Sequence, residues 1–596
     1  MDWMKPIEIK DVPKGDEWLY EVKYDGFRCQ LRISGNKEIA LISKSCLDIS
    51  NKFPEIIKWC EENYDYFKNK LPINIDGELV ILNHRYQANF AQVQTRGRMR
   101  SSKRIDEQSK RRPATLMAFD ITEIKGRKLH QDHLHLRKEV LYQFLQPISD
   151  NKILKYVEVF TSIEEIQKVV SASKCEGIIA KRKDSTYQKG KKHHDWFKIK
   201  NWSVIQGILT EYDPSNGYFL VNVLDNNNLI KIGKCKNGLS KDSAETVQKL
   251  FRTQGNLIKG VYHLPPAITS SINTLDLFEK ELREPNFKRI APDTSYTECT
   301  LDNLQLNMAQ LPIEVSNTNK YLWPDIYRKK DLLIYIREIS PWMLPFLKQK
   351  ALTIIRCPDG IDKDSFFQKS IPEYAPEFLS SADTTDDYIV CNNVEGLVWL
   401  ANHGTIEYHV PFQKMGNTTP SEIVFDLDPP SQEYFFLAVK AANLLKQLLD
   451  DLELISFVKT SGRKGLQIYI PIREASMTYE ETFIFTEAIA KTLARLYPND
   501  FTIERLKKNR KGRLYIDYVQ HAKDKTLIAP YSPRITREGT VSTPLYWHEV
   551  NKDLDPAAFT IGNAVDRVRE IGCPFSDYQY VSENQNIEKV LKYVRA

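Results

Sequence analysis

Between residues 18 and 33 apolar positions alternate with polar ones in two short runs, Trp18-Leu-Tyr-Glu-Val-Lys23 and Phe27-Arg-Cys-Gln-Leu-Arg-Ile33, parted by Asp25-Gly26. This predicts two strands around a tight turn. Short β-branched or aromatic runs at 73–82, 115–121, 177–182 and 196–200, each bounded by Asp-Gly, proline or charged clusters, predict further strands. Helical spacing intervenes, as over residues 53–67. After Trp202 the chain turns to short strands at 204–212, 218–224 and 229–233, the signature of a small β-barrel. Residues 293–312 have little apolar periodicity and are expected to form a linker. An α/β pattern then resumes, with strands near 423–428, 455–460, 466–470 and 513–519.

A chain of 596 residues is too long for one growing core. The pattern divides it into 1–200, 201–292, the linker and 313–596. Its hydrophobic fraction of 42% and charged fraction of 27% are those of ordinary globular protein. No 18-residue apolar run is present and the N-terminus lacks a secretion pattern, so the expectation is a cytoplasmic protein with no membrane partner. Nine scattered cysteines include no C-x-x-C, which argues for reduced thiols rather than a zinc ribbon or disulfide framework. The net charge of +6 is modest, but basic residues concentrate between Arg96 and Arg112 and again from Lys181 to Lys192. Such runs are usually solvated faces; two of them make a polyanionic partner about as good a reading.

The segment Glu21-Val-Lys23-Tyr-Asp25-Gly26-Phe-Arg28 sets a lysine beside the Asp-Gly turn. A lysine of ordinary pKa about 10.4 is protonated at neutral pH and cannot attack phosphorus until neighbouring cations or burial favour the free amine. Lys198 and Lys200 alternate on one strand, so both face one side and suit phosphates. Glu78 and Glu176 each stand at the edge of an apolar strand. Singly, each is more often a solvated acid; with Lys23 they supply a nucleophile, carboxylates for Mg²⁺ and cations for phosphate.

The order and spacing of these residues resemble ATP-dependent DNA ligases of the covalent nucleotidyltransferase superfamily, over residues 1 to about 292. The resemblance implies an ATP-grasp-like adenylation domain over 1–200, followed by an OB-fold barrel over 201–292. Lys23 would form lysyl-AMP, and Arg28 and Lys44 would contact ribose or a DNA-end phosphate. Glu78 and Glu176 would serve ribose and metal, and Phe119 would stack on adenine. Lys181, Lys198 and Lys200 would meet phosphates, with Glu21 also in the nucleotide-binding set. Two departures stand out. Ser43-Lys44-Ser45-Cys46 has lysine where the family has arginine, losing bidentate phosphate geometry. In the closing motif Ala291 and Thr294 replace basic residues that orient departing pyrophosphate, a role left to Arg289 or Lys288.

In the second half, Ile423-Val-Phe-Asp426-Leu-Asp428-Pro429 puts two carboxylates on one strand face, and Asp517 lies in another apolar strand. Three such acids suit two Mg²⁺ or Mn²⁺ ions that activate a 3'-hydroxyl and neutralise a triphosphate. Lys459-Thr-Ser461-Gly-Arg-Lys464-Gly465 is a connection able to cradle phosphates, though it lacks Walker spacing. With Tyr531-Ser-Pro-Arg534 and Val541-Ser-Thr-Pro544, these motifs resemble the archaeo-eukaryotic primase-type polymerase module of bacterial DNA ligase D, over about 313–596. The resemblance implies Asp426, Asp428 and Asp517 as metal ligands, and Ser461, Lys464, Arg534 and His409 at the incoming (deoxy)ribonucleoside triphosphate. Lys320 and Lys330 would hold the 5'-phosphate of a gap, and Phe366 and Phe367 would stack on template bases. Gln467 departs from a family histidine.

The expectation is a bifunctional end-joining enzyme. It would seal 5'-phosphate/3'-hydroxyl breaks and fill gaps, act on DNA ends, nicks and gaps near the nucleoid, and work with the end-binding protein Ku that the resemblance implies. No remaining segment is long enough for the phosphoesterase module such proteins often carry. The alternatives are an RNA ligase and a DNA-end scaffold with decayed centres, the latter opposed by the intact Lys23 and the three carboxylates.

Overall fold

In the computed structural model, residues 3–190, 193–278, 281–379 and 387–595 are described, so Lys191 and Lys192 of the second basic run lie outside them. The chain folds as two compact units, Met1–Gln310 and Leu311–Ala596. Among the described residues no helix is long and apolar enough to cross a membrane.

In the first unit the two runs either side of Asp25-Gly26 do not pair with each other. Trp18–Lys23 enters a four-stranded sheet with Gly177–Arg182, Trp196–Lys200 and Ile7–Glu8, whereas Phe27–Ile33 pairs with Ile39–Ser43 and Ile73–Val80 in a six-stranded sheet. The turn that the local pattern assigns to a hairpin therefore crosses from one sheet to the other. Gly26 allows this crossing, because a Cβ there would stand 2.2 Å from the Leu79 carbonyl oxygen. Apolar faces of both sheets, among them Val22, Ile178, Val80 and Met117, share one core. On the other side of the larger sheet, Leu31, Ile75 and Leu116 pack with residues of the helices Pro54–Glu62 and Leu134–Leu145. The helical pattern over 53–67 is broken at Asn63, where Pro54–Glu62 ends and a short turn, Tyr64–Phe67, begins.

The barrel strands appear as Ser203–Asp213, Tyr218–Asp225 and Asn228–Cys235, extended by Val261–Thr274 and Asn286–Ile290 and packed against the helix Lys241–Gln254. The stretch expected as a linker instead carries the helix Leu301–Ala309. Its Leu304 is buried in the barrel core, and a Thr300 cap starts it. Leu301 and Met308 pack beside it, and burying a leucine such as Leu304 stabilises the segment by about 1.5–3 kcal/mol.

The second unit is built on the six-stranded sheet Phe501–Thr502, Leu514–Asp517, Glu422–Asp428, Leu466–Pro471, Phe457–Thr460 and Pro544–Leu545. The helix Phe435–Asp451 buries Ala438, Ala441, Ala442, Leu445 and Leu449 at helical spacing against Phe425, Leu427 and Ile468 of that sheet. A smaller sheet joins Phe366–Gln368, Thr353–Arg356, Thr405–Pro411 and Thr526–Ile528.

Candidate active sites

The crossing turn leaves Lys23 at the end of its strand, opposite Gly177, so the preceding Glu176 meets the Lys23 amine in an ion pair. Gly177 has a φ of +155° and no room for a Cβ beside the Ile199 carbonyl, so the Glu176-Gly177 pair is a backbone requirement as well as a chemical one. A cavity of about 320 Å³ opens here, walled by Glu21, Lys23, Lys181, Trp196 and Lys198 from one sheet and by Arg28, Lys44, Glu78 and Phe119 from the other side. Lys5, Pro6, Val157 and Ile179 also line it, beside Val22, Tyr24 and Gly26 of the crossing turn; nothing in the sequence surroundings of those four singles them out.

Desolvation pushes Glu78 up to about 8 despite the opposing charges of Lys23 and Arg28, and Glu176 adds to the rise. Glu176 is itself raised, first by burial, against the pull of Lys23. Burial thus holds both carboxyls above the usual carboxylate range. Arg28 is fixed rather than mobile: its guanidinium donates to both Asp76 oxygens at 3.2 and 2.7 Å and lies over the Phe119 ring. Lys181 is buried beneath Phe119 and Trp196 and donates to Glu21 at 2.6 Å, while Lys138 reaches the other Glu21 oxygen at 2.8 Å. Burial brings Lys181 down to about 8 although Glu21 opposes the shift.

Lys198 and Lys200 do reach one point, the carboxylate of Glu8, at 3.0 and 3.1 Å, but Lys200 is not part of the cavity lining and also pairs with Glu284 at 2.7 Å. Glu8, Lys138, Asp76 and the Asp25–Arg283 pair escaped the sequence reading because their partners are remote in the chain. The basic stretch beginning at Arg96 is not all surface, since Arg96 is buried against Glu55 at 3.1 Å. Arg289, one of the residues expected to replace the missing closing-motif cations, is held by Asp293 at 2.6 and 2.9 Å. Ala291 is fully buried, with its carbonyl accepting from the Thr269 hydroxyl, so an arginine at that position cannot be accommodated without repacking.

In the second unit Asp426 and Asp517 are direct cross-strand partners, with Asp428 two residues along the same face. Desolvation and the charges of Asp517 and Asp428 raise Asp426 to about 6, against a hydrogen bond of 3.1 Å from the Gln467 amide; Asp517 is raised as well. Gln467 is thus spent on Asp426, and its oxygen accepts from buried Lys459. Lys464 pairs with Asp428 at 3.1 Å and donates to the Pro429 carbonyl at 2.6 Å, while Arg510 reaches Asp428 at 2.9 Å. The Ser461 hydroxyl accepts the Gly465 N–H at 3.1 Å and so shapes the loop between them.

His409 and Arg534 are joined by a residue the sequence reading passed over, Glu407. It meets His409 at 3.0 Å, Arg463 at 3.2 Å and Arg534 at 3.3 Å, and accepts the Ile535 N–H at 2.9 Å. Burial opposes its ionisation, but His409, Arg534 and the Ile535 N–H outweigh that and bring it down to about 2. Its position two residues before His409 on one strand face was the available signal.

At the foot of a hairpin the Lys329 N–H donates to the Lys320 carbonyl at 2.7 Å and the Lys330 N–H to the Thr318 carbonyl at 2.9 Å. Lys320 pairs with Asp359, and Lys330 is largely buried. Phe366 and Phe367 lie on an edge strand and are 51% and 75% exposed, so neither belongs to the core.

Residues 5–200 match the family described as ATP dependent DNA ligase domain, and residues 328–575 the family described as LigD, primase-polymerase domain. Over 605 residues the chain is 36% identical to the bifunctional non-homologous end joining protein LigD of Bacillus subtilis, with 99% of each chain covered. It is 24% identical to the multifunctional LigD of Pseudomonas aeruginosa over 630 residues, covering 97% of this chain and 72% of the relative. Among solved structures, the polymerase domain from Mycobacterium tuberculosis Ligase D in complex with DNA aligns with 46% of this chain and 99% of its own at 28% identity and a TM-score of 0.42.

Proposed function

Because the chain belongs to the LigD family of bifunctional non-homologous end joining proteins, an ATP-dependent DNA ligase joined to a primase-polymerase, we propose that Lys23 and the Asp426, Asp428, Asp517 group are its two reaction centres. The observation that carries the ligase assignment is Lys23 in the cavity lining with Glu176 on its amine. The Lys23 side chain, its ammonium proton released to solvent, attacks the α-phosphorus of ATP through its free amine. A nitrogen–phosphorus bond forms, the bond to the β-phosphate oxygen breaks, and pyrophosphate leaves. Phe119 and Trp196 offer faces for adenine, Arg28 is held rigid for the ribose side, and Lys44 and Lys198 face the phosphates. The resulting lysyl-AMP serves to seal a 5'-phosphate/3'-hydroxyl break.

Glu78 with Glu176, and Asp426, Asp428 and Asp517 clustered on one sheet face, fit divalent cations, because buried carboxylates gathered at one point are relieved by a bound cation. Mg²⁺ or Mn²⁺ held there would neutralise phosphate charge and favour deprotonation of the attacking group. At the polymerase centre Ser461, Lys464, His409 and Arg534 orient the incoming nucleoside triphosphate. Lys320 and Lys330 hold the gap 5'-phosphate, and Phe366 and Phe367 stack on template bases. Partners on this reading are DNA ends, nicks and gaps together with Ku, in the cytoplasm at the nucleoid.

Incubation of the full chain with ATP and Mg²⁺ should add one AMP by mass. Lys23→Ala should abolish labelling and sealing while nucleotide addition persists; a labelled Lys23→Ala protein would overturn the assignment.

A further inference from the structure

Lys198, which lines the cavity, and Lys200 beside it are already occupied by an anion supplied by the chain itself. The strand Ile7–Glu8 runs parallel to Trp196–Lys200 with Glu8 beside Lys198, and one oxygen, Glu8 Oε2, lies 3.0 Å from Lys198 Nζ and 3.1 Å from Lys200 Nζ. Lys5 and Pro6, three and two residues earlier, line the nucleotide cavity, as does Lys198. The same segment therefore touches both the cavity wall and the cations at its phosphate end. A carboxylate oxygen shared by two ammonium groups makes the same contacts as a terminal phosphate oxygen, with less charge.

We propose that Glu8 is a built-in occupant of the outer-phosphate position, a carboxylate that the triphosphate displaces on entry and that reclaims Lys198 and Lys200 as pyrophosphate leaves. The proposal rests on Lys23 as the adenylated residue, with the outer phosphates of ATP directed to these lysines. Tethering two residues from the cavity lining gives the carboxylate an effective concentration on the order of millimolar, so it competes with any free phosphate ligand. When the bond between the α-phosphorus and the pyrophosphate oxygen breaks, pyrophosphate carries its charge away and Glu8 neutralises the lysines it vacates. The consequence is weak product binding and a lysyl-AMP protected from attack by pyrophosphate in reverse. Glu284 reinforces this at Lys200 alone, at 2.7 Å, whereas Glu8 spans both lysines. Glu8 stands half in solvent, which keeps the ion pairs weak enough for a triphosphate to open.

The test uses inorganic pyrophosphate and the full-length chain. Calorimetric titration should show Glu8→Gln binding pyrophosphate on the order of three- to tenfold more tightly than wild type, with Glu8→Ala behaving alike. Glu61→Gln, a remote exposed acid, serves as the charge control and should not move the affinity. The gain should vanish in a Lys198→Ala, Lys200→Ala background, where no cations remain to be released. The pyrophosphate concentration that strips AMP from the adenylated enzyme should fall in parallel. Equal affinity in wild type and Glu8→Gln, or a gain that persists without the two lysines, would overturn the role of Glu8. Failure of the wild type to take up AMP would instead count against the Lys23 assignment, and the calorimetric comparison would still decide Glu8.

Discussion

Glu407 is almost wholly enclosed and carries a charge matched by Arg534, Arg463 and His409, so its neutralisation removes the main opposing charge of buried Arg534. Glu407→Gln should destabilise the second unit by about 3 kcal/mol and raise the KM for the nucleoside triphosphate, read by urea unfolding and by primer extension at varied nucleotide concentration. The sign with pH follows from the depressed folded value of about 2 against an ordinary 4.5. The stabilisation is complete above 4.5 and is lost as pH falls toward 2. His521 acts in the same direction from a higher starting point. Burial lowers it from 6.5 to about 3, so below 6.5 the unfolded chain binds a proton that the folded chain refuses, and stability drops as pH falls through that window. Replacing it by glutamine should flatten the dependence of unfolding free energy on pH between 6.5 and 5, where the wild-type slope from this residue approaches about 1.4 kcal/mol per pH unit. An unchanged slope would show that another group sets it.

At the scale of elements, the edge strand Phe366–Gln368 presents two large rings to solvent at the margin of the smaller sheet. Removing rings that pack on little changes stability slightly, whereas a base stacked on each is worth about 1–3 kcal/mol. Phe366→Ala with Phe367→Ala should therefore weaken binding to gapped DNA at least tenfold while shifting the melting temperature by no more than about 2 °C. A large loss of melting temperature with unaltered affinity would assign the rings to the fold instead. The crossing turn after Lys23 teaches a related lesson. Alternation defines both flanking strands correctly, but pairing is a nonlocal choice, and Trp18–Lys23 finds Gly177–Arg182 rather than the neighbouring strand.

For the whole molecule, separate cores in Met1–Gln310 and Leu311–Ala596 imply that each unit folds without the other. Residues 311–596 expressed alone should extend a primer across a gap, and residues 1–310 alone should take up AMP; inactivity of both fragments beside an active full chain would refute this independence. The sequence by itself determined the strands that carry Lys23, Asp426, Asp428 and Asp517 and the places of these residues along them. Those features are local: a charged residue at the end of an alternating run has its direction and chemistry set by its neighbours in the chain. Only the tertiary structure decided that Glu8 meets Lys198 and Lys200, that Lys138 and Lys181 share Glu21, and that Glu407 ties Arg463 and Arg534 to His409. Opposite charges far apart in sequence carry no mark of their pairing. The partner is chosen by which strands align and by the cost of leaving a buried charge alone, and both are properties of the packed chain.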